Sequence, residues 1–547
     1  MPTLRLATLL FTCHRWVATI VLCSFLTASG ATYADGPALK RLFPAGAQRG
    51  ASVEVAALGE APKWPVKVWS DDPGIQWEAL ADKGKFKVTV ADSVPLGQHA
   101  VRFYDEDNAS DAFRFIIGLV PELNEQEPND GPDKAQAIDE FPKLINGVLE
   151  KRAEVDTFAV DLKQGQHLIA ALEAQQSLRS PLDATLQIVS ARGSVLAQNL
   201  DTVGLDPRIL FVAPRDGRYF VRVFGFPETP DSTITYAGGE NFIYRLTLAH
   251  SAFLLATRPL AVTTAAETKL ELVGAALPAP TAVVNVPADT KATVWHLTID
   301  GGANAFALPI LKCPLMVEQP RASGTDVQAL SIPSSVTGTL DGPRQIDRYR
   351  FTVKKDTKLN IELHSRKFGL PTDGVLRILD ASGKQLARED DARSDVDAKS
   401  LWQPPADGDY TLEVSDAFGA SGPDWLYRVD IRAAEGDAVL TMKADHFQGK
   451  VSAPIDLAVS IDRRNAFEQP LRISVTGLPD SVQCPVVISE KDGASAKEVT
   501  LKLTATAPFS GPVQIVATLE GDNAFQRIAT AGSDALVNQM WLTISSH

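Results

Sequence analysis

The chain has 547 residues, a formal net charge of −14, 45% hydrophobic residues and 22% charged ones. At about 100–200 residues per domain, that length predicts several domains, and the ordinary apolar share excludes wholesale disorder. The acidic balance excludes a nucleic-acid binder, which needs a basic footprint, and 8 His with 4 Cys leave little for a zinc cluster or a disulfide framework.

Residues 1–34 have the layout of a secretory signal peptide. Arg5, His14 and Arg15 precede an apolar run from Trp16 to Leu26, and Thr32 and Ala34 stand at −3 and −1 before Asp35. The apolar run is too short to span a bilayer, and no later segment approaches 18 apolar residues. The mature chain is therefore expected to be exported without membrane insertion. Cys13 and Cys23 leave with the leader, and the distant Cys313 and Cys484 are expected to be small buried hydrophobes without a bridge.

Beyond the leader the pattern is alternating apolar and polar residues in short runs, bounded by Gly, Pro, Asp and Asn. That pattern predicts an all-β chain of tandem β-sandwiches. Residues 35–119 predict a first sandwich, with Trp64, Trp69 and Trp77 in its core; exposed tryptophans there would instead be platforms for sugar or protein. Residues 120–250 follow, with one helical hint at Asp133–Ile138. Then come a short β domain (251–313), a second large one (314–434) and a last sandwich (435–547).

The two large segments repeat each other. Gly147-Val148-Leu149 and Asp156-x-Phe158-x-Val160-x-Leu162 return 191 residues later as Gly338-Thr339-Leu340 and Asp347-x-Tyr349-x-Phe351-x-Val353. Asp216-Gly217-Arg218-Tyr219 returns as Asp407-Gly408-Asp409-Tyr410, and each copy closes on Tyr-Arg, at Tyr244-Arg245 and Tyr427-Arg428. The triplets put one apolar face inward at period two. The Asp-Gly pairs predict tight turns with φ > 0 at Gly217 and Gly408. The smaller segments share landmarks too: Asp111-Ala112-Phe113 returns as Asn304-Ala305-Phe306, and Pro121–Gln126 as Pro314–Gln319. The unit of repetition is thus a pair, one small sandwich followed by one large one.

On Glu127-Pro128-Asn129-Asp130, Gly147-x-Leu149, Asp156-x-Phe158-x-Val160 and Ala213-Pro214-Arg215-Asp216-Gly217-Arg218-Tyr219, the first large segment resembles the bacterial pre-peptidase C-terminal domain. The second resembles it from Gly338 onward, but reads Glu318-Gln319-Pro320-Arg321 at its opening. The resemblance implies jelly-roll-like accessory modules of exported proteins. The smaller segments look immunoglobulin-like.

Glu125, Glu127, Asn129 and Asp130 place four oxygen-bearing side chains within six residues, a donor set suited to calcium. The collagen-binding domains of clostridial collagenases, which are similar to this family, bind calcium through a like Glu-x-Glu-x-Asn-Asp linker. Asp156, by position, is expected to complete the shell, with Glu154 the weaker candidate, and the second copy is expected to lack the site. The competing reading is a solvated acidic linker. The acids Glu389, Asp390, Asp391, Asp395 and Asp397 are read as a solvated loop.

Catalytic motifs are missing from the sequence. There is no His-Glu-x-x-His, no phosphate-binding loop, and Gly419-Ala420-Ser421-Gly422 fails the spacing of a nucleophile elbow. The histidines after the leader (99, 167, 250, 296, 364, 446 and 547) lie far apart, and His167 and His364 are read as strand-face residues. The expected function is therefore non-catalytic binding of polysaccharide or protein, outside the cell or at its surface. The alternatives are an accessory role in a secreted protease or hydrolase system, or a structural role in the envelope.

Overall fold

The computed structural model describes residues 36–61, 63–227, 235–320, 327–391, 396–531 and 537–546. The expected leader with its cleavage point at Ala34 lies outside these residues, as do Arg321, Asp395 and His547.

The chain is all-β. Among the described residues the helical content is one four-residue α-helix, Gln175–Leu178, and two three-residue 3-10 turns. The expected helix at Asp133–Ile138 is not formed. Lys134 N–H closes a turn on the Gly131 carbonyl, and Gln136–Ala137 then pairs in parallel with Phe158 and Ala159. Six residues are too few to nucleate a helix against strand pairing that also buries Ile138 in the core.

The segment from Glu122 to Ala249 is a sandwich of two five-stranded sheets. One runs Gln136–Ala137, Asp156–Leu162, Gly217–Gly225, Ala184–Ser190, Val195–Asn199; the other runs Glu122–Asn124, Lys143–Val148, Ile243–Ala249, His167–Glu173, Arg208–Val212. Phe158, Val160 and Leu162 face its core, as the period-two reading required. Burying side chains of this size contributes about 1.5–3 kcal/mol each. The segment from Leu315 to Ala433 repeats both sheets in the same order: Gln328–Ala329, Ile346–Val353, Gly408–Asp416, Gly374–Leu379, Gln385–Glu389, and Leu315–Val317, Ser334–Thr339, Leu426–Ala433, Leu359–His364, Lys399–Trp402.

Paired landmarks share their chemistry. The hydroxyl of Tyr219 donates to the Arg215 carbonyl at 2.7 Å, and that of Tyr410 to the Ala406 carbonyl at 2.7 Å. The carboxylates of Asp216 and Asp407 accept the N–H groups of Gln164 and Lys355, each at 2.8 Å. The glycines differ. Gly217 has φ +155°, whereas Gly408 does not have a positive φ, so the expectation of φ > 0 holds only in the first copy. Asp397 is a second correction. It is buried and accepts Ser365, Arg366 and Lys367 N–H groups, the role that Asp206 plays for Gln176 and Ser177.

The first small sandwich has four strands in each sheet. The third segment of the chain keeps a three-plus-three version. Ala38–Phe43 and Phe253–Arg258 each carry a register shift, and Gly46–Gln48 and Val262–Thr263 each pair in parallel with the last strand of their sandwich. The two edge strands Lys67–Ser70 and Ile75–Ala79, which carry Trp69 and Trp77, have no counterpart in the smaller version. Trp77 packs edge-on against Phe86, Phe103 and Phe115, as a core residue should, while Trp69 meets Trp541 of the last sandwich. Residues Asp437–Ser545 form that last sandwich around a separate core. Cys313 and Cys484 are half-buried and unbridged.

Each large module grips the small sandwich before it through the arginine of its Tyr-Arg pair. Arg245 is buried, donates to the Ile116 carbonyl at 2.8 Å and pairs with Glu122. Arg428 donates to the Leu260 carbonyl at 2.8 Å and forks onto Asp430 at 3.0 and 3.1 Å. Among the described residues, no helix is long and apolar enough to cross a membrane.

Candidate metal centre

Tyrosine is the other half of each Tyr-Arg pair, and in the first module it marks a buried place that gathers carboxylates. The strand Ile243–Ala249 carries Tyr244 inward, and its hydroxyl faces two carboxylates, Asp156 at 2.5 Å and Glu125 at 3.0 Å. One phenolic proton cannot satisfy both. Glu125 arrives from the segment after Glu122–Asn124 and also accepts Val148 N–H at 2.6 Å. Asp156 opens its strand and is 0% exposed.

The rest of the acidic linker folds onto this pair. Carboxylate oxygens of Glu125, Glu127 and Asp156 lie within 4.8 Å of one another, as do those of Glu127, Asp130 and Glu154. Glu127 also accepts Asn129 N–H at 3.0 Å. The Asn129 carbonyl accepts Thr157 N–H at 3.1 Å, which ties the linker to the strand. Glu125, Glu127, Asp130 and Asp156, expected from sequence as ligands, therefore converge, Asn129 lies directly beside them, and the weaker candidate Glu154 joins them.

Charge compensation inside the cluster is thin. Lys151 meets Glu154 at 3.1 Å and Lys134 meets Asp130 at 3.8 Å, both ammonium groups reaching in from solvent. Burial, opposed by hydrogen bonds from Asp156, Val148 and Tyr244, pushes the Glu125 carboxyl up to about 7. Burial and the neighbouring Glu125 charge raise Asp156 well above the usual carboxylate range. Burial also raises Glu127, and burial with the two facing carboxylates raises the Tyr244 phenol.

Within this cluster four buried polar atoms have no hydrogen-bond partner: Oδ1 and Nδ2 of Asn129, Oδ1 of Asp156 and Oγ1 of Thr157. Such atoms ordinarily cost about 1–3 kcal/mol each when left unmatched. A set of hard oxygens, several of them orphaned, with excess negative charge, fits an oxygen-seeking divalent cation of the calcium type.

The second module builds the same place with fewer charges, keeping Glu318 and Asp347 as its carboxylates. Glu318 accepts Thr339 N–H at 3.0 Å, as Glu125 does for Val148. Pro320 stands where the first copy has Glu127, and Gln345 replaces Glu154. Gln345 Nε2 donates to Asp347 at 2.8 Å, and the Tyr427 hydroxyl donates to Asp347 at 2.5 Å. Tyr349, in place of Phe158, adds its own hydroxyl 2.7 Å from that of Tyr427. Neutral donors thus do in the second copy what a cation would do in the first.

Two other groupings of acids and histidine already hold their own cations. Glu362 and Asp430 beside His364 are met by Lys399, Arg432 and Arg428. Against burial, His364 and Arg428 hold Asp430 down to about 2. Asp111, Asp445 and His446 gather at Arg102. Neither grouping has the uncompensated charge of the first module's linker.

No protein-family model matches the chain, and no curated protein matches it. Among solved structures it is similar to the pre-peptidase C-terminal domain of a collagenase from Bacillus anthracis, at 15% identity over 21% of this chain and 99% of that one, TM-score 0.17. It is also similar to the fibronectin(III)-like modules of Clostridium thermocellum CbhA, at 9% identity over 38% of this chain and 87% of that one, TM-score 0.14. A Bacteroides ovatus mixed-linkage glucan utilization protein, SGBP-B, solved with a mixed-linkage heptasaccharide, matches at 8% identity over 73% of this chain and 76% of that one, TM-score 0.16.

Proposed function

We propose that the chain is an exported, non-catalytic binding protein that acts on polysaccharide or protein at the cell surface or outside the cell. In this reading the two ten-stranded sandwiches are pre-peptidase C-terminal modules. The first holds a structural calcium ion through Glu125, Glu127, Asn129, Asp130 and Asp156, with Glu154 alongside. The observation that supports it is the contrast between copies: a buried, under-compensated acid cluster with orphaned oxygens in one, and neutral tyrosine and glutamine donors in the other.

The ion would supply positive charge where the protein has gathered carboxylates. The residues do the rest: Tyr244 and Val148 orient Glu125, the Asn129 carbonyl holds the linker to Thr157, and Glu127 turns the chain back over the cluster. The linker between the first small sandwich and its module is then fixed rather than free, which holds the loops of both as one presenting surface.

The test is a pull-down with the purified mature chain against envelope polysaccharide fractions and secreted proteins, in calcium and in chelator. Specific retention of one fraction is expected. Turnover of a peptide or glycoside by the chain, or retention of nothing in either condition, would overturn the reading.

A further inference from the structure

We propose that the cleft between the two large modules binds a neutral oligosaccharide, with the Phe418 ring as its stacking face. This rests on the binding-protein reading and names a ligand class and a place for it. The cleft has a volume of about 540 Å³, within the range of about 300–1,000 Å³ typical of small-molecule sites. Arg208 and Leu210 of the first module form one wall, and Gly369, Asp373, Phe418 and Trp425 of the second form the other.

Phe418 is 86% exposed, the most exposed large apolar side chain among the described residues. Its loop is not loose. The Asp416 carboxylate accepts the N–H groups of Phe418 and Ala420, each at 2.9 Å, and Arg344 N–H donates to the Gly419 carbonyl at 3.2 Å. A pinned backbone that holds a bare ring out at a cleft is a platform awaiting a flat apolar face, and the C–H face of a pyranose is one.

The opposite wall is equally fixed. Arg208 donates through Nη2 to the Gly369 carbonyl at 3.1 Å, which leaves further guanidinium donors, and burial lowers its pKa to about 10. On the Phe418 wall, Trp425 Nε1 is buried without an acceptor. Guanidinium donors beside carboxylate acceptors suit hydroxyl groups, each of which both donates and accepts. The acids lining the cleft outnumber its two arginines, Arg208 and Arg366, and the chain carries −14 overall, so a polyanion is repelled.

Affinity electrophoresis of the full mature chain in native gels containing barley β-glucan, xylan, dextran, mannan or polygalacturonate tests this, followed by calorimetry with the matching oligosaccharide. Retardation by a neutral polymer is expected. Phe418→Ala should weaken binding about tenfold, and Asp373→Asn should weaken it too. Phe226→Ala, at a 48% exposed ring outside the cleft, should change nothing. Parent-like melting of Phe418→Ala would separate lost binding from lost folding. No retardation by any neutral polymer, retardation by polygalacturonate alone, or Phe418→Ala and Asp373→Asn binding like the parent would each overturn the inference. If a protein fraction is retained while every neutral polymer fails, the cleft proposal falls and the binding-protein reading stands.

Discussion

Arg102, which is buried, and Asp445, which is partly buried, lie 343 residues apart and form an ion pair at 2.7 Å. Arg102 is 1% exposed and spends its other terminal nitrogen on the Ser110 carbonyl at 2.9 Å. Trp541 packs beside the pair, 4.5 Å from Tyr104 and 6.1 Å from Trp69 between ring centroids. The first and last sandwiches are therefore in contact, through Arg102 and Tyr104 of the strand Gly97–Tyr104 and Trp69 of the edge strand Lys67–Ser70 paired with it. Against its burial, the hydrogen bond from His446 and the charge of Arg102 hold the Asp445 carboxyl well below the usual carboxylate range.

Removing Asp445 strands the buried Arg102 charge, and breaking a fully buried pair costs about 3–5 kcal/mol, so that figure is the upper bound here. Asp445→Leu and Arg102→Met are each expected to bring forward the melting of the last sandwich in calorimetry. The double variant should recover part of the loss, because it leaves no unpaired charge. Single variants that melt like the parent would show that the contact adds nothing to stability.

The first module should respond to pH and calcium together. Glu125 is raised in the fold to about 7, against about 4.3 when unfolded. Between those values the folded state binds more protons than the unfolded state, so in chelator stability falls as pH rises from about 4.3 through about 7. Calcium should reverse that loss, with a large rise in melting temperature at pH 8 and little at pH 5. Identical melting curves with calcium and chelator at pH 8 would refute both the site and its charge argument.

Asp156→Asn should abolish the heat of calcium titration into the mature chain. Asp347→Asn, at the matching position of the second module, should leave that heat intact while lowering stability through its tyrosine and glutamine partners. Loss of the calcium heat in both variants would contradict a site confined to the first module.

Gly217→Val and Gly408→Val should part company. Neither position has an atom within 4 Å of where a side chain would start, so space decides nothing. Gly217 sits at φ +155° and Gly408 has no positive φ. A β-branched residue at the first should cost about 1–3 kcal/mol. The second variant should melt within about 1 °C of the parent, and equal losses at both would point to a cause other than backbone conformation.

What was legible in the sequence was what repeats or what is contiguous. Phe158-x-Val160-x-Leu162 and its echo report a strand face directly, and the calcium candidates lie mostly in one linker. Asp397 was misread because alternation says nothing of backbone N–H groups that gather around a carboxylate; its spacing from Asp206, 191 residues, was the available signal. Trp69 and Arg102 look like core and surface residues of one sandwich. Their partners Trp541 and Asp445 come from the other end of the chain, and no local pattern encodes that meeting. Tyr244 and Tyr427 were visible as landmarks, but their hydroxyls acquire meaning only opposite Asp156 and Asp347.

Arg245 and Arg428 impose an order of events on a chain that emerges from its N-terminus. Each lies in a strand near the end of its module, Ile243–Ala249 or Leu426–Ala433, yet grips a carbonyl of the sandwich made before that module. The grip at Ile116 waits for about 130 further residues to appear. Until then the first sandwich lacks that latch. Assembly is therefore a succession of backward-closing latches, and a chain cut short before residue 243 should keep its first sandwich folded but unmoored.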